Sequence, residues 1–204
     1  MAKLYFRHGT VSSAKTLNLL AVAHNYRQQG KSVYLIKPQL DDRFGSSLIK
    51  SRAGLEQSAD LLVNENSKIP LEELKNISCI LVDEAQFLSL LVINQLREIS
   101  IYQNIPVICY GLRADFRANL FEGSKRLFEL ADTIEEIKTT CAFCNRKAIM
   151  NLKHSNGVAS VEGPSVDLGA EEKYFPACYG CYTDQLKLAN VPYLPTSEQF
   201  NLFN

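Results

Sequence analysis

Between Leu4 and about Leu130, short and almost wholly apolar runs alternate with stretches whose apolar residues recur at helical spacing, which is the pattern of buried strands joined by crossover helices. The segments from Lys3 to Arg7, Ser32 to Ile36, Ser78 to Val82 and Pro106 to Tyr110 read as strands. Lys15 to Gln29 reads as a helix, with Leu17, Leu20, Ala21 and His24 as its recurring face and Gly30 as its stop. Each apolar run ends at polar residues or glycine. The predicted class is therefore α/β with a parallel sheet. Open sheets of this kind bind ligands at the carboxyl ends of their strands, so His8 to Thr16, Gln39 to Phe44, Asp83 to Phe87 and Gly111 to Phe121 are expected to face one crevice.

After Lys138 the character changes. Two C-x-x-C pairs, Cys141/Cys144 and Cys178/Cys181, enclose a stretch holding the turn signals His154-Ser155-Asn156-Gly157 and Glu162-Gly163-Pro164. The expected organisation is a nucleotide-binding unit over 1–138, a small metal-knitted unit over 139–189 and a surface tail over 190–204.

Composition narrows the class further. The chain has 204 residues, 46% hydrophobic and 22% charged, enough apolar material for a core and too little charge for a disordered chain. Lys plus Arg total 22 and Asp plus Glu total 22, so no net charge draws the protein to a nucleic-acid polymer or an anionic membrane. No apolar run approaches the ~20 residues that span a bilayer, and Arg7 and His8 interrupt the first apolar stretch too early for a secretory signal. A cytoplasmic location is expected.

In that compartment closely spaced thiols usually bind metal, and each C-x-x-C can converge two thiolates on one ion. The 33 residues between Cys144 and Cys178 exceed the ~15–20 of a compact ribbon, so Cys141, Cys144, Cys178 and Cys181 are expected to form a structural Zn²⁺ site pinning the base of a long loop. Cys79 and Cys109, each inside a strand, read as buried small hydrophobes.

Gly9-Thr10-Val11-Ser12-Ser13-Ala14-Lys15-Thr16 fits the phosphate-binding pattern G-x-x-x-x-G-K-[ST], except that Ala14 stands at the second glycine. In that loop backbone N–H groups and a helix amino terminus surround the phosphates, the lysine neutralises them and the hydroxyl coordinates Mg²⁺. Ala14 is expected in a right-handed conformation, since a left-handed alanine costs about 1–2 kcal/mol. The same residues could simply open a helix; their place between a predicted strand and a predicted helix favours phosphate. A second strand delivers Asp83-Glu84, suggesting one carboxylate for the metal and a neighbour, turned elsewhere by strand alternation, to take a proton. Asp41-Asp42-Arg43-Phe44 could add another acid and a guanidinium suited to a phosphoryl group, though a solvated turn would look alike.

With these residues, Val82-Asp83-Glu84-Ala85-Gln86-Phe87-Leu88, Cys109-Tyr110-Gly111-Leu112-Arg113-Ala114-Asp115-Phe116-Arg117, Leu120-Phe121, Gly123-Ser124 and Glu172-Lys173-Tyr174 before Cys178, the chain resembles the type II thymidine kinases, the tetrameric, zinc-containing family, from about Leu4 to Tyr182. The resemblance implies a RecA-like P-loop sheet with helices on both faces plus a zinc-binding lasso subdomain. It implies transfer of the ATP γ-phosphoryl group to the 5′-hydroxyl of thymidine in nucleotide salvage. Carried over by position, Gly9 through Thr16 would hold the ATP phosphates and Mg²⁺, with Lys15 on the phosphates and Asp41, Asp83 and Gln86 in support. Glu84 would be the base and Arg43 would stabilise the phosphoryl in flight. The lasso would close over thymine at Gly169, between walls formed by Val11, Phe87, Leu112, Phe116, Phe121 and Tyr174. A homotetramer and feedback by thymidine triphosphate are also implied. Asp167-Leu168-Gly169-Ala170 departs from the hydrophobic-Ile-Gly-Gly usual there, which admits deoxyuridine beside thymidine. Two other readings are a RecA-like ATPase moving on nucleic acid, which predicts basic tracts the chain lacks, and a non-catalytic zinc-ribbon module with a dead P-loop.

Overall fold

The computed structural model describes residues 1–41, 47–165 and 173–191. Arg43 and Gly169, together with Asp42, Phe44, Asp167, Ala170 and Glu172, lie outside the described residues, as does the tail from 192.

Six strands, β1 (Leu4–His8), β2 (Ser32–Pro38), β5 (Leu61–Val63), β6 (Ile77–Val82), β7 (Val107–Gly111) and β8 (Thr133–Glu136), form one sheet in the order β5-β2-β6-β7-β1-β8. Every pairing in it is parallel. The side-chain period of two divides each central strand between two cores. Leu4, Phe6, Tyr34, Ile36, Ile80, Val82, Val107 and Cys109 meet α2 (Leu90–Tyr102) and α3 (Glu122–Leu130) on one face. Val33, Leu35, Cys79, Leu81, Ile108 and Tyr110 meet α1 (Lys15–Gln28) on the other. Helices thus cover both faces. Cys79 and Cys109 are fully buried, and burial alone raises the Cys109 thiol far above its usual range.

The strands and α1 fall within two residues of the sequence reading, and Gly30 takes the left-handed position (φ 71°) that ends α1. The buried face of α1 differs from that reading. Leu19, Leu20 and Ala23 pack on the sheet, whereas Ala21 and His24 are exposed and Leu17 turns to a cavity. The sheet lies alongside Leu19 and Ala23, one helical step away from the stripe that the periodicity favoured.

Two further sheets complete the chain. A short hairpin pairs β3 (Leu48–Lys50) with β4 (Glu56–Ser58). Beyond Lys138, β9 (Met150–Ser155) pairs antiparallel with β10 (Val158–Ser160) and β11 (Tyr174–Ala177), followed by α4 (Tyr179–Leu188). Asn156 and Gly157, both at positive φ, make the tight Asn-Gly turn between β9 and β10. Met150, Leu152, Ala159, Ala177, Tyr182 and Leu186 form a small third core with Cys141 and Cys178.

Candidate functional site

Because all six main strands run parallel, the segments after β1, β6 and β7 emerge at one edge. The loop after β1 is tightly specified. A Cβ on Gly9 would lie 2.3 Å from Ser13 Oγ and 2.6 Å from the Ile137 carbonyl, so only glycine fits. Lys15 opens α1 and its Nζ donates to the Thr10 carbonyl at 2.7 Å, folding the ammonium back over the loop. Ala14 overturns the right-handed expectation: it sits at φ 62°, ψ 29°, in the left-handed region, as does Ser12 at φ 60°. The loop thus holds an alanine in a conformation that glycine adopts without steric cost. Ala14→Gly should therefore raise stability by about 0.5–1 kcal/mol, the relief of a ~1–2 kcal/mol left-handed cost less the freedom glycine adds to the unfolded chain. Urea unfolding checks this, and a destabilised glycine variant would contradict it.

Val11 also departs from expectation. Its N–H donates to Asn151 Oδ1 at 2.8 Å, so this amide is used inside the protein and the residue serves the cavity through its side chain.

The acid pair follows β6. Asp83 is 5% exposed, and the Thr16 hydroxyl lies 3.2 Å from both of its carboxylate oxygens, a hydroxyl and carboxylate pair suited to Mg²⁺ and its water shell. Glu84 is left-handed (φ 48°) at the start of a 3₁₀ turn, Ala85–Phe87. Its direction therefore comes from that turn, not from strand alternation, since β6 ends at Val82. Gln86 is fully engaged there. Its Oε1 accepts from the Leu112 N–H at 2.9 Å, so its Nε2 end faces Glu84 and donates to Oε2 at 2.6 Å. Gly111 leaves room for this amide: a Cβ there would lie 2.8 Å from Gln86 Oε1. The Gly123-Ser124 pair supports the same turn, with Gly123 packed on the carbonyls of Ala85, Gln86 and Leu88 and Ser124 Oγ donating to the Leu112 carbonyl at 2.6 Å.

Lys15, Thr16, Glu84 and Gln86 line a cavity of about 320 Å³ whose walls include all six expected positions, Val11, Phe87, Leu112, Phe116, Phe121 and Tyr174. Phe87 and Phe121 meet edge to face at 5.7 Å, and Phe116 and Tyr174 are tilted at 6.0 Å. Ser12, Ser13 and Ala14 line it as well. Gly9, Thr10, Asp83 and Asp41 lie outside that lining. Asp41 is buried against Lys37 Nζ at 3.2 Å, which also donates to the Leu48 carbonyl at 2.9 Å.

Sequence reasoning missed Lys37, Lys50, Arg52, Asn151 and Ser165. Lys37 had a signal, a lysine inside the apolar strand Ser32–Pro38 where it is 1% exposed. Lys50 and Arg52 reach the cavity from the β3–β4 hairpin, where Arg52 Nη1 donates to Ser12 Oγ at 2.8 Å.

The four clustered thiols stand apart from this cavity. Their Sγ atoms lie within 4.8 Å of one another, and a tetrahedron with Zn–S bonds of about 2.3 Å has edges of roughly 3.8 Å. At Cys141 burial opposes ionisation, but hydrogen bonds from the backbone at Cys178 and Phe143 outweigh it and bring the thiol down to about 7. Cys181 is pushed up to about 12, first by its hydrogen bond with Cys144 and then by Cys178. Thiols this crowded cannot all shed their protons without a shared cation, and a thiolate-preferring divalent ion suits the set.

No helix among the described residues is long and apolar enough to cross a membrane. Residues 2–182 match the family model described as thymidine kinase. The thymidine kinase of Lactiplantibacillus plantarum is 44% identical over 180 residues, covering 87% of this chain and 94% of that protein. That of Streptococcus pyogenes serotype M28 is 43% identical over 182 residues, covering 87% and 95%, and that of Streptococcus gordonii 42%, covering 87% and 94%. A match across nearly nine-tenths of the sequence, on a chain that folds a P-loop, an acid pair and an aromatic-walled cavity to one sheet edge, means that this protein belongs to the thymidine kinase family.

Proposed function

We propose that the protein is an ATP-dependent kinase that transfers a γ-phosphoryl group to the 5′-hydroxyl of thymidine, with deoxyuridine as a second acceptor, to give the monophosphate for salvage and DNA synthesis. The observation that carries this reading is that Lys15 and Glu84 line one cavity with an aromatic wall. A triphosphate tail held at the P-loop and a nucleoside held between Phe87, Phe116, Phe121 and Tyr174 meet there end to end.

In this mechanism the chain works by placement and charge. The loop from Gly9 to Ala14, apart from the Val11 N–H held by Asn151, and the α1 amino terminus receive the phosphates, and Lys15 leaves the Thr10 carbonyl to neutralise them. Thr16 and Asp83 would hold Mg²⁺ with ATP, which supplies further neutralisation of phosphate charge, with Asp41 in support. Glu84, whose Oε2 accepts from Gln86 Nε2, would take the 5′-hydroxyl proton as that hydroxyl oxygen attacks phosphorus and ADP departs. Arg43 would stabilise the transferring group, and Gly169 would serve recognition of the base; both lie outside the described residues. Cys141, Cys144, Cys178 and Cys181 would hold a structural Zn²⁺ with no open coordination position. The same reading carries the division at 138 and 189, a cytoplasmic homotetramer, feedback by thymidine triphosphate and no nucleic-acid polymer or membrane as partner.

The test is a phosphoryl-transfer assay with ATP, Mg²⁺ and a panel of pyrimidine nucleosides. Thymidine should be phosphorylated fastest. Hydrolysis stimulated by nucleic acid, or no transfer to any nucleoside, would replace this reading with one of the two others.

A further inference from the structure

Two cations outside the phosphate machinery converge on one short stretch of backbone. Arg117, in the loop after β7, donates from Nε to the Val161 carbonyl at 2.8 Å and from Nη2 to the Gly163 carbonyl. Lys153, on β9, donates from Nζ to the intervening Glu162 carbonyl at 3.1 Å. Three consecutive carbonyls are thus taken by two side chains from different parts of the fold. Lys153 is buried, 6% exposed, and its Nζ lies close to Gly163, whose φ of 91° is the conformation that calls for glycine.

Both cations also rest on the aromatic wall. Arg117 Cζ is 4.8 Å and Lys153 Nζ 4.9 Å from the centre of the Phe116 ring, and Lys153 Nζ is 6.0 Å from that of Tyr174. Arg117 is itself held from behind, because Asp115 Oδ1 accepts from the N–H groups of Arg117 and Asn119, each at 2.9 Å. Two residues beyond the clamped carbonyls, Ser165 lines the cavity beside Phe116 and Tyr174.

We propose that Arg117 and Lys153 are positioning residues for the nucleoside: a cationic clamp that fixes the segment leaving β10 against Phe116 and Tyr174, and so sets the wall of the cavity at Ser165. The kinetic part of the inference rests on the thymidine-phosphorylating reading; the clamp itself does not. Its chemistry favours backbone recognition, since carbonyl oxygens on a charged clamp hold their place whatever side chains the segment carries.

The experiment uses the full chain with Arg117→Ala, Arg117→Lys and Lys153→Met, the methionine filling the volume of the lysine stem. Amide hydrogen exchange over residues 159–165 should accelerate about tenfold or more in Arg117→Ala, which loses two charge-assisted bonds, and in Lys153→Met, which loses one, while exchange in β1 and β6 stays as in the parent. The KM for thymidine should rise about tenfold with the KM for ATP within about twofold, and Arg117→Lys, which keeps charge but not the fork, should recover part of both effects. Unchanged exchange over 159–165 overturns the clamp. Equal movement of both KM values overturns its link to the nucleoside. A parent protein that phosphorylates no nucleoside defeats the functional reading while leaving the exchange result to decide the clamp. Should Lys153→Met fail to fold, Arg117→Ala alone decides, because Arg117 is only half-buried and its bond to the Gly163 carbonyl is exposed.

Discussion

Glu84→Gln should cut turnover by roughly 10²–10⁴-fold, the range lost with a general base, while leaving thymidine affinity nearly unchanged. The separation follows from the geometry. The carboxamide has the shape of the carboxylate, and its oxygen can turn to accept the Gln86 Nε2 bond that Oε2 accepts in the parent. The Leu112 N–H still locks the Gln86 amide, so the cavity keeps its walls. Only the capacity to take a proton is gone. Asp83 cannot take over the role, since it is buried beside Thr16 and does not line the cavity. Steady-state turnover together with thymidine titration calorimetry checks both halves. Near-normal turnover in the variant would remove Glu84 from the role, and a large loss of affinity would show that the substitution had disturbed the pocket.

The features that were legible in the sequence share a cause. β1, β2, β6 and β7 are buried on both faces, so each reads as a continuous apolar run whose end is marked by the first polar or glycine residue. Those ends carry the P-loop, the acid pair and Leu112, which is why the site could be assembled from the chain alone. The edge strands could not be read this way. β5 has three residues, and β8, Thr133–Glu136, is polar and half exposed, so neither leaves a run that stands out. The hairpin of β3 and β4 is shorter than any reliable alternation, and Arg52 was hidden with it. Ala14 shows a different limit. Steric preference argues against a left-handed alanine, yet the strand before it and the helix after it determine the path of the loop, and the alanine is carried along. Asn151 is a polar residue whose partners, Val11 and Ala114, lie far away in the chain, and no local pattern encodes such pairings; Lys37 pairs close by, with Asp41 and Leu48, and shows in the sequence only as a lysine inside an apolar strand.

Removing one thiol tests how far the cysteine cluster reaches into the cavity. Cys178 is 5% exposed, lies 3.6 Å from the Cys144 sulfur, and caps α4 by accepting from the Cys181 N–H. Serine caps a helix at least as well, so Cys178→Ser spares α4 and removes chiefly a metal ligand. Stoichiometric zinc in the parent and its loss in the variant, read by mass spectrometry, are the first expected result. The second follows from the routes leading out of the cluster. β11 runs directly into Cys178 and carries Tyr174 in the cavity wall. Its Pro176 pairs with Asn151 on β9, which accepts from the Val11 N–H and donates to the Ala114 carbonyl. Tyr182, one residue past Cys181, donates to the Phe116 carbonyl at 2.7 Å. Three of the cavity walls proposed for the nucleoside, Tyr174, Val11 and Phe116, are thus reached within a few bonds of the thiols, whereas Lys15, Thr16 and Glu84 are held by the main sheet. Loss of the metal should therefore raise the KM for thymidine by about tenfold or more, with a smaller effect on that for ATP, and lower the melting temperature, because metal binding energy in such sites is folding energy. Full zinc retention in Cys178→Ser would dismiss the four-thiol site. Zinc loss with an unmoved thymidine KM would leave the metal to the small core alone and uncouple it from the cavity.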